Sequence, residues 1–384
     1  MSDEKPSIAL ITNVYLPAIG GITTYVRSLK EGLSKRGYDV SIISYPYSMI
    51  KREDGMPRGF RRRLFHEIAV FAFTVHAMTR IIALRLRARA VVVHSQSASF
   101  CLGIGVLSRL FGARNVHTFH SPIDRCSMRL RVFVPFANSL VCVSDEQREQ
   151  YIERCGIPRD SPIVPGGTDC TLFSPVPEES RADLRRGLMK ELDLNDSPGP
   201  LILFVGRIVK EKGVEVLLRA AKDIAREFRE ATFVLAGPYE QTREYAEDAK
   251  DLMNGVEPGM RFFLVGTLDH DRLRRAYSAA DVLAFPSLWE EASPMVVVEA
   301  MASGLPVVAS RIGALRSRVV EGKTGHLTEP GNSSELAQGI LDILRDRDRR
   351  RQMAAASREL AVSRYSLEAT TDEYEGIYRR IMSL

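Results

Sequence analysis

The chain has 384 residues, 45% of them hydrophobic and 26% charged, a balance that excludes a disordered, fibrous or collagenous polymer. That length exceeds what one core usually serves, so two domains are expected. The net charge of +5 is unevenly placed: residues 1–150 carry 21 Lys and Arg against 11 Asp and Glu, a local excess of +10. Such a half suits either an anionic partner or an ordinary solvated surface.

In chain order, the opening "MSDEKPSIALITNVYLP" is acidic ahead of a short apolar strand, which does not read as a signal peptide. "SIALITNVY" leads into the amphipathic "TTYVRSLKEGLSKRG". Then come "DVSIISYP", a long basic helical region from about 60 to 88, "AVVVHSQ", "NVHTFHS" and "SLVCVS". The longest apolar run, about 68–78, is read as too short to span a bilayer. Apolar strands alternating with helices argue for a parallel, helix-covered sheet. The rhythm breaks at "PIVPGGTDCTLFSPVPEES", where four prolines and two glycines mark a linker.

A second series follows: "LILFVG", "TFVLAG", "RFFLVG", "DVLAFPS", "LPVVAS" and "TGHLTE", with helices between. Segments 332–364 and 366–384 read as closing helices. The fold class expected is α/β, with two Rossmann-like doubly wound domains facing across a cleft. They are placed at 1–175 and 176–364, with a terminal helix, 365–384, returning to the first. Five scattered cysteines without a CxxC suit reduced thiols better than a disulfide frame or zinc site.

Ligands of doubly wound sheets gather beyond the carboxyl ends of strands, and the chemistry-bearing residues follow strands here. Gly20 and Gly21 open a helix, where backbone N–H groups can meet a phosphate, or make only a turn. Arg207 and Lys212 flank a strand-to-helix loop, suiting a diphosphate or simple solvation. In "LWEEASPMVVVEAMASG", Glu291 precedes a helix and Glu299 lies within it. Eight helical residues would rise about 12 Å, the reach from a hexose to a ribose. The alternative is a dipole-complementing charge and an exposed helix residue. His117 and His120 follow a strand, and a structural hydrogen-bonding role is the plainer reading for such histidines.

Together these motifs resemble the family 4 retaining glycosyltransferases of GT-B fold, through "GGITTYV", "HTFHS", "VPGGTDCTLFSP", "VGRIVKEKG" and the E-x7-E spacing of Glu291 and Glu299. The resemblance implies Gly21 at the donor diphosphate, Arg207 and Lys212 as its cations, and Glu291 at the transferred sugar's hydroxyls. It also implies Glu299 on the ribose, His120 beside the sugar ring and Thr267 near the base, with Gly20, Ser293, Pro294, Met295 and Val296 as further donor contacts. The expected reaction moves a hexose or hexosamine from a UDP-, GDP- or ADP-sugar to a hydroxyl acceptor, lipid-linked, glycan or small molecule. No cofactor, metal or nucleic acid is expected.

This chain departs from the family pattern at "EASP", where Pro294 lacks an N–H, and at "IGA", where Ala314 replaces a second glycine. The "TFHS" and "EASPM" forms lean toward members that glycosylate lipids. "DHD" at 269–271 mimics a metal motif, but Asp269 reads as a helix cap; "DRD" at 346–348 reads as a solvated face inside a helix. Arg58, Arg61, Arg62 and Arg63 beside Leu64 and Phe65 make region 58–65 either a charged helix start or a contact with anionic lipid. The expected location is cytoplasmic, or peripheral at the membrane's inner face. The competing readings are a sugar-nucleotide 2-epimerase of the same fold and a non-catalytic nucleotide-sugar-binding subunit.

Overall fold

A computed structural model describes residues 5–13, 15, 21–45, 60–96, 99–123, 125–194, 198–239 and 261–383, the side chains of 60–63 and 99–101 excepted. The chain forms two compact units, Met1–Gly167 with Leu367–Leu384, and Thr168–Ser366. The division lies at Gly167/Thr168 rather than near 175. Thr168 already donates its N–H to Tyr365 O at 2.9 Å, and Phe173 is buried in the second unit's core.

In the first unit the order is β1 (Ser7–Thr12), α1 (Gly21–Lys35), β2 (Val40–Ser44), α2 (Phe60–Arg87), β3 (Val91–Gln96), α3 (Ser99–Ser108), β4 (Arg114–Thr118), α4 (Met128–Phe133), β5 (Ser139–Val141) and α5 (Asp145–Cys155). The strands lie in the order β2-β1-β3-β4-β5, each pair parallel. Both faces are covered, which is why β1 and β3 are buried throughout. Ser144 caps α5 through Gln147 N–H, and Gly156 closes it in the left-handed region.

The second unit runs α6 (Glu178–Glu191), β6 (Leu201–Val205), α7 (Val214–Ala225), β7 (Thr232–Ala236), β8 (Arg261–Gly266), α8 (His270–Ala279), β9 (Val282–Phe285), α9 (Met295–Ala302), β10 (Val307–Ser310), α10 (Leu315–Arg318), β11 (Gly325–Thr328), α11 (Ser333–Arg345) and α12 (Arg347–Arg364). Its strands are ordered β11-β10-β9-β6-β7-β8 and pair in parallel. The order reverses between β6 and β9, the switch point where a doubly wound sheet opens a crevice at its carboxyl edge.

The last helix, α13 (Leu367–Ser383), belongs to the first unit. Arg36, in the turn after α1, pairs with Asp372 and Glu375 on it. Its Tyr378 hydroxyl meets His94 Nδ1 at 2.7 Å, while His94 Nε2 meets Thr118 Oγ1 at 2.7 Å. Burial drives His94 well below its usual range, so the imidazole is neutral inside this network.

Four further sequence expectations change. The helix expected over 332–364 is two, because Asp346 breaks it and caps α12 by accepting from Asp348 and Arg349 N–H. "DRD" is therefore a helix start rather than a mid-helix face. Cys126 and Cys155, expected as thiols, form a disulfide with Cα atoms 5.4 Å apart. A spacing of 29 residues hides this, since the turn before α4 and the end of α5 meet only on folding.

Finally, α2 outruns its longest apolar run. Leu64–Arg87 gives 24 residues of mean hydropathy 1.5, long and apolar enough to cross a membrane by length and composition. Scattered polar residues broke the run without lowering the mean much. Yet Ala69, Phe73, Ala77 and Ile81, one every four residues, are buried in the first unit's core with Val91 and Val93 of β3.

Candidate active site

In the second unit the cationic loop after β6 and the acidic loop after β9 are stitched together. Leu288 N–H donates to Glu211 O at 2.8 Å. Gly213, which ends the first loop and precedes α7, has φ +71, and a Cβ there would fall 1.9 Å from Pro286 O. Only glycine combines that backbone with that approach. The result brings Lys212 Nζ to Glu291 Oε1 at 2.5 Å, with Ser287 Oγ donating to the same oxygen at 2.8 Å. Among the described residues Glu291 Oε2 accepts nothing, which leaves it for a ligand hydroxyl. Lys212 also lies 5.4 Å over the Phe285 ring.

The loop after β10 fixes Glu291 from the other side. Ala314 N–H donates to Glu291 O at 2.7 Å. Gly313 has φ +49, and a Cβ on it would come 2.6 Å from that oxygen. In "IGA" the middle residue, Gly313, must therefore be glycine. Ala314 is tolerated because its N–H, not its side chain, meets Glu291.

Glu299 is 5% exposed within α9, against the alternative of an exposed helix residue. Tyr277 OH donates to its Oε2 at 3.1 Å. Burial pushes its carboxyl up to about 7, outweighing the Tyr277 hydroxyl. Of the span from Glu291 to Glu299, only Met295 to Glu299 is helical, so the eight-residue rise does not apply: residues 291–294 are loop. Pro294 supplies no capping side chain to α9, and the first N–H groups, at Met295 and Val296, remain for a ligand or water. Ser293 Oγ lies 3.9 Å from Met295 Sδ.

Arg207 follows β6 after Gly206, is exposed, and makes no side-chain hydrogen bond or ion pair among the described residues. Thr267 is exposed after β8. Asp269 caps α8 by accepting from Arg272 N–H at 2.8 Å, which occupies one arm of "DHD". Among the described residues no three His, Cys, Asp or Glu side chains cluster to hold a metal.

The first unit holds the remaining candidates. Gly21 opens α1 with open space where a Cβ would stand, and Gly20 lies outside the described residues. His117 sits inside β4, buried, its Nδ1 2.8 Å from Ser95 Oγ: a structural hydrogen-bonder. His120 is half-buried beyond the strand. Its Nε2 donates to Gln96 Oε1 at 2.6 Å, which leaves Nδ1 as an acceptor, and the Tyr25 ring packs edge-on at 4.4 Å. Burial lowers His120 to about 3, so it is neutral at working pH. Sequence reading missed Ser287, Tyr277, Gly313 and Gln96; each is an ordinary residue type whose role exists only through its neighbour.

A family model of group 1 glycosyl transferases matches residues 189–360, and one of glycosyltransferase family 4 matches 19–172. The chain is a family 4-like glycosyltransferase. This enzyme is 28% identical over 407 residues to a D-inositol 3-phosphate glycosyltransferase from Corynebacterium urealyticum, covering 95% of the chain and 92% of the relative. It is 28% identical over 247 residues to an alpha-D-kanosaminyltransferase from Streptomyces kanamyceticus, covering 64% of the chain but 61% of that protein. Solved structures with the same GT-B fold include a glycosyltransferase from Rickettsia africae (TM-score 0.80, 19% identity, 99% of both chains). An Anabaena protein solved in complex with UDP matches at TM-score 0.74 and 19% identity, over 98% of this glycosyltransferase and 100% of that chain.

Proposed function

We propose that the enzyme transfers a hexose or hexosamine from a nucleotide diphosphate sugar to an acceptor hydroxyl, with retention at the anomeric carbon and without a required metal. The observation that carries this is the Lys212–Glu291 pair at the carboxyl edge of β6 and β9, with the unpaired Arg207 on the same loop as Lys212. As the anomeric C–O bond breaks, charge grows on the diphosphate; Lys212 and Arg207 neutralise it, with the α9 N–H groups adding to the field. Glu291 Oε2 accepts from the sugar's hydroxyls and Glu299 from the ribose. Gly21 and His120 are the donor contacts proposed on the first unit by itself, His120 with Nδ1 as an acceptor. The acceptor oxygen bonds to the anomeric carbon on the same face, and its proton goes to the departing phosphate oxygen. Two cations on the diphosphate do the work a divalent ion would otherwise do.

The Anabaena complex supports a UDP donor; GDP and ADP remain in the test panel. Thermal shift with UDP-, GDP- and ADP-sugars should raise the melting temperature for one base. With the matched donor, acceptor-dependent release of nucleoside diphosphate is expected. Donor converted at C2 without release would instead make the protein an epimerase. Activity in excess chelator should be unchanged; its abolition refutes the metal-free reading. The acceptor is proposed to be lipid-linked, a glycan or a small molecule, and the location cytoplasmic or peripheral at the membrane's inner face.

Glu299 gives a pH prediction. Its folded carboxyl value lies above the ordinary 4.5, so ionisation favours the unfolded chain. Stability of the unliganded enzyme should fall as pH rises from about 4.5 through 7, by at most about 3 kcal/mol. Nucleotide affinity should move oppositely, since the ionised carboxylate is the better acceptor for ribose hydroxyls. Titration calorimetry between pH 6 and 8 should show tightening that Glu299→Gln flattens. A wild-type profile identical to that of the Gln variant would remove Glu299 from the nucleotide site.

A further inference from the structure

The outer face of α2 is the feature of the first unit that its core does not explain. One side of the helix is committed to that core through Ala69, Phe73, Ala77 and Ile81. On the other side Leu64, Ile68, Phe71 and Val75 follow at steps of four, three and four, a continuous helical stripe. All four are exposed, Ile68 by 59% and Phe71 by 71%. Single exposed apolar residues are ordinary, whereas a stripe of four is a surface kept for a partner.

The stripe continues onto a neighbouring element. Arg129 of α4 reaches Glu67 of α2 at 3.3 Å, and α4 exposes Met128 and Val132 on either side of that arginine. Charge selects the partner. The described residues of α2 and α4 carry Arg80, Arg85, Arg87, Arg129 and Arg131 against one acid, Glu67, which Arg129 already pairs. The first 150 residues carry the +10 excess noted above. An apolar stripe bordered by arginine, in a half with few free carboxylates, matches an anionic lipid surface in both its layers: acyl chains below, headgroup phosphates above.

We propose that α2 and α4 form an in-plane docking face for an anionic bilayer, with Leu64, Ile68, Phe71, Val75, Met128 and Val132 entering the acyl boundary and the bordering arginines meeting headgroups. The helix lies on the membrane and does not span it. Spanning would pull Phe73 and Ile81 out of a core in which they are 3% and 0% exposed. The contact thus moves from the basic segment 58–65 alone to the apolar face that follows it. It stands on the first unit by itself and does not depend on the donor-site reading.

The test is sedimentation of the full chain with vesicles of phosphatidylcholine alone or mixed with phosphatidylglycerol. The wild type should pellet with the mixed vesicles, less so at high salt, and weakly with phosphatidylcholine alone. Ile68→Ser/Phe71→Ser should weaken partitioning at least ~10-fold, since losing one large apolar contact already costs about a factor of ten. Both side chains are exposed, so its melting temperature should stay that of the wild type; if the double variant misfolds, Phe71→Ser alone serves. Wild-type protein left in the supernatant, or a double variant that pellets equally, overturns the proposal. So does a wild-type dimer in light scattering that the double variant abolishes, which would assign the face to a second copy of the chain.

Discussion

Lys212→Ala is expected to lower kcat about a hundredfold or more, the usual cost, about 3 kcal/mol, of removing one preorganised group that stabilises transition-state charge. The fold should survive, because Ser287 still donates to Glu291 and the loop remains fixed through Gly213, Leu288 and Ala314. Lys212→Arg should recover part of the loss, since it restores charge but not the compact ammonium that fits beneath Glu291. Steady-state kinetics separate the alternatives. A loss confined to KM would make Lys212 a ground-state binder only. A turnover close to wild type would end the assignment.

The largest expected loss of stability lies at the opposite edge of the same sheet. Asp281 is buried at the start of β9, where Arg181 meets its Oδ1 at 2.9 Å, Arg185 its Oδ2 at 3.3 Å and Arg350 its Oδ1 at 3.4 Å. Leu201 N–H donates to Oδ2 at 2.8 Å. Burial pushes this carboxyl up, but Arg181, Arg350 and that N–H outweigh it and hold it below the ordinary range. Asp281→Ala removes the buried carboxylate that all three guanidiniums pair with and should cost about 3–5 kcal/mol. Because the residue stands at the amino edge, kcat per folded molecule should stay near wild type. Chemical denaturation with parallel kinetics checks both halves: a loss below about 1 kcal/mol would place the pair with exposed, weakly coupled bridges.

How much of this was legible beforehand differs by element. The strands announced themselves, because a strand buried on both faces is usually a short, mainly apolar run, and "SIALIT", "LILFV" and "VLAF" are such runs. Asp269 was readable as a cap because capping is local. Helices α11 and α12 were not separated, because a heavily charged stretch looks continuous until one aspartate turns its side chain onto the N–H groups two and three residues ahead. The disulfide and the outer stripe of α2 were missed for opposite reasons: one needs two distant segments to meet, the other needs to know which side of a helix the core has taken.

By itself, the sequence determined the alternation of strand and helix, the two-unit division and the residue types available for chemistry after each strand. Those properties depend on periodicity and composition within about a dozen neighbours. Only the tertiary structure decided that Lys212 meets Glu291, that Gly313 rather than Ala314 carries the steric demand, and that Glu299 is buried enough to titrate near 7. Each is set by contact between segments tens of residues apart, and a side chain's charge state and reach are fixed by what surrounds it in space.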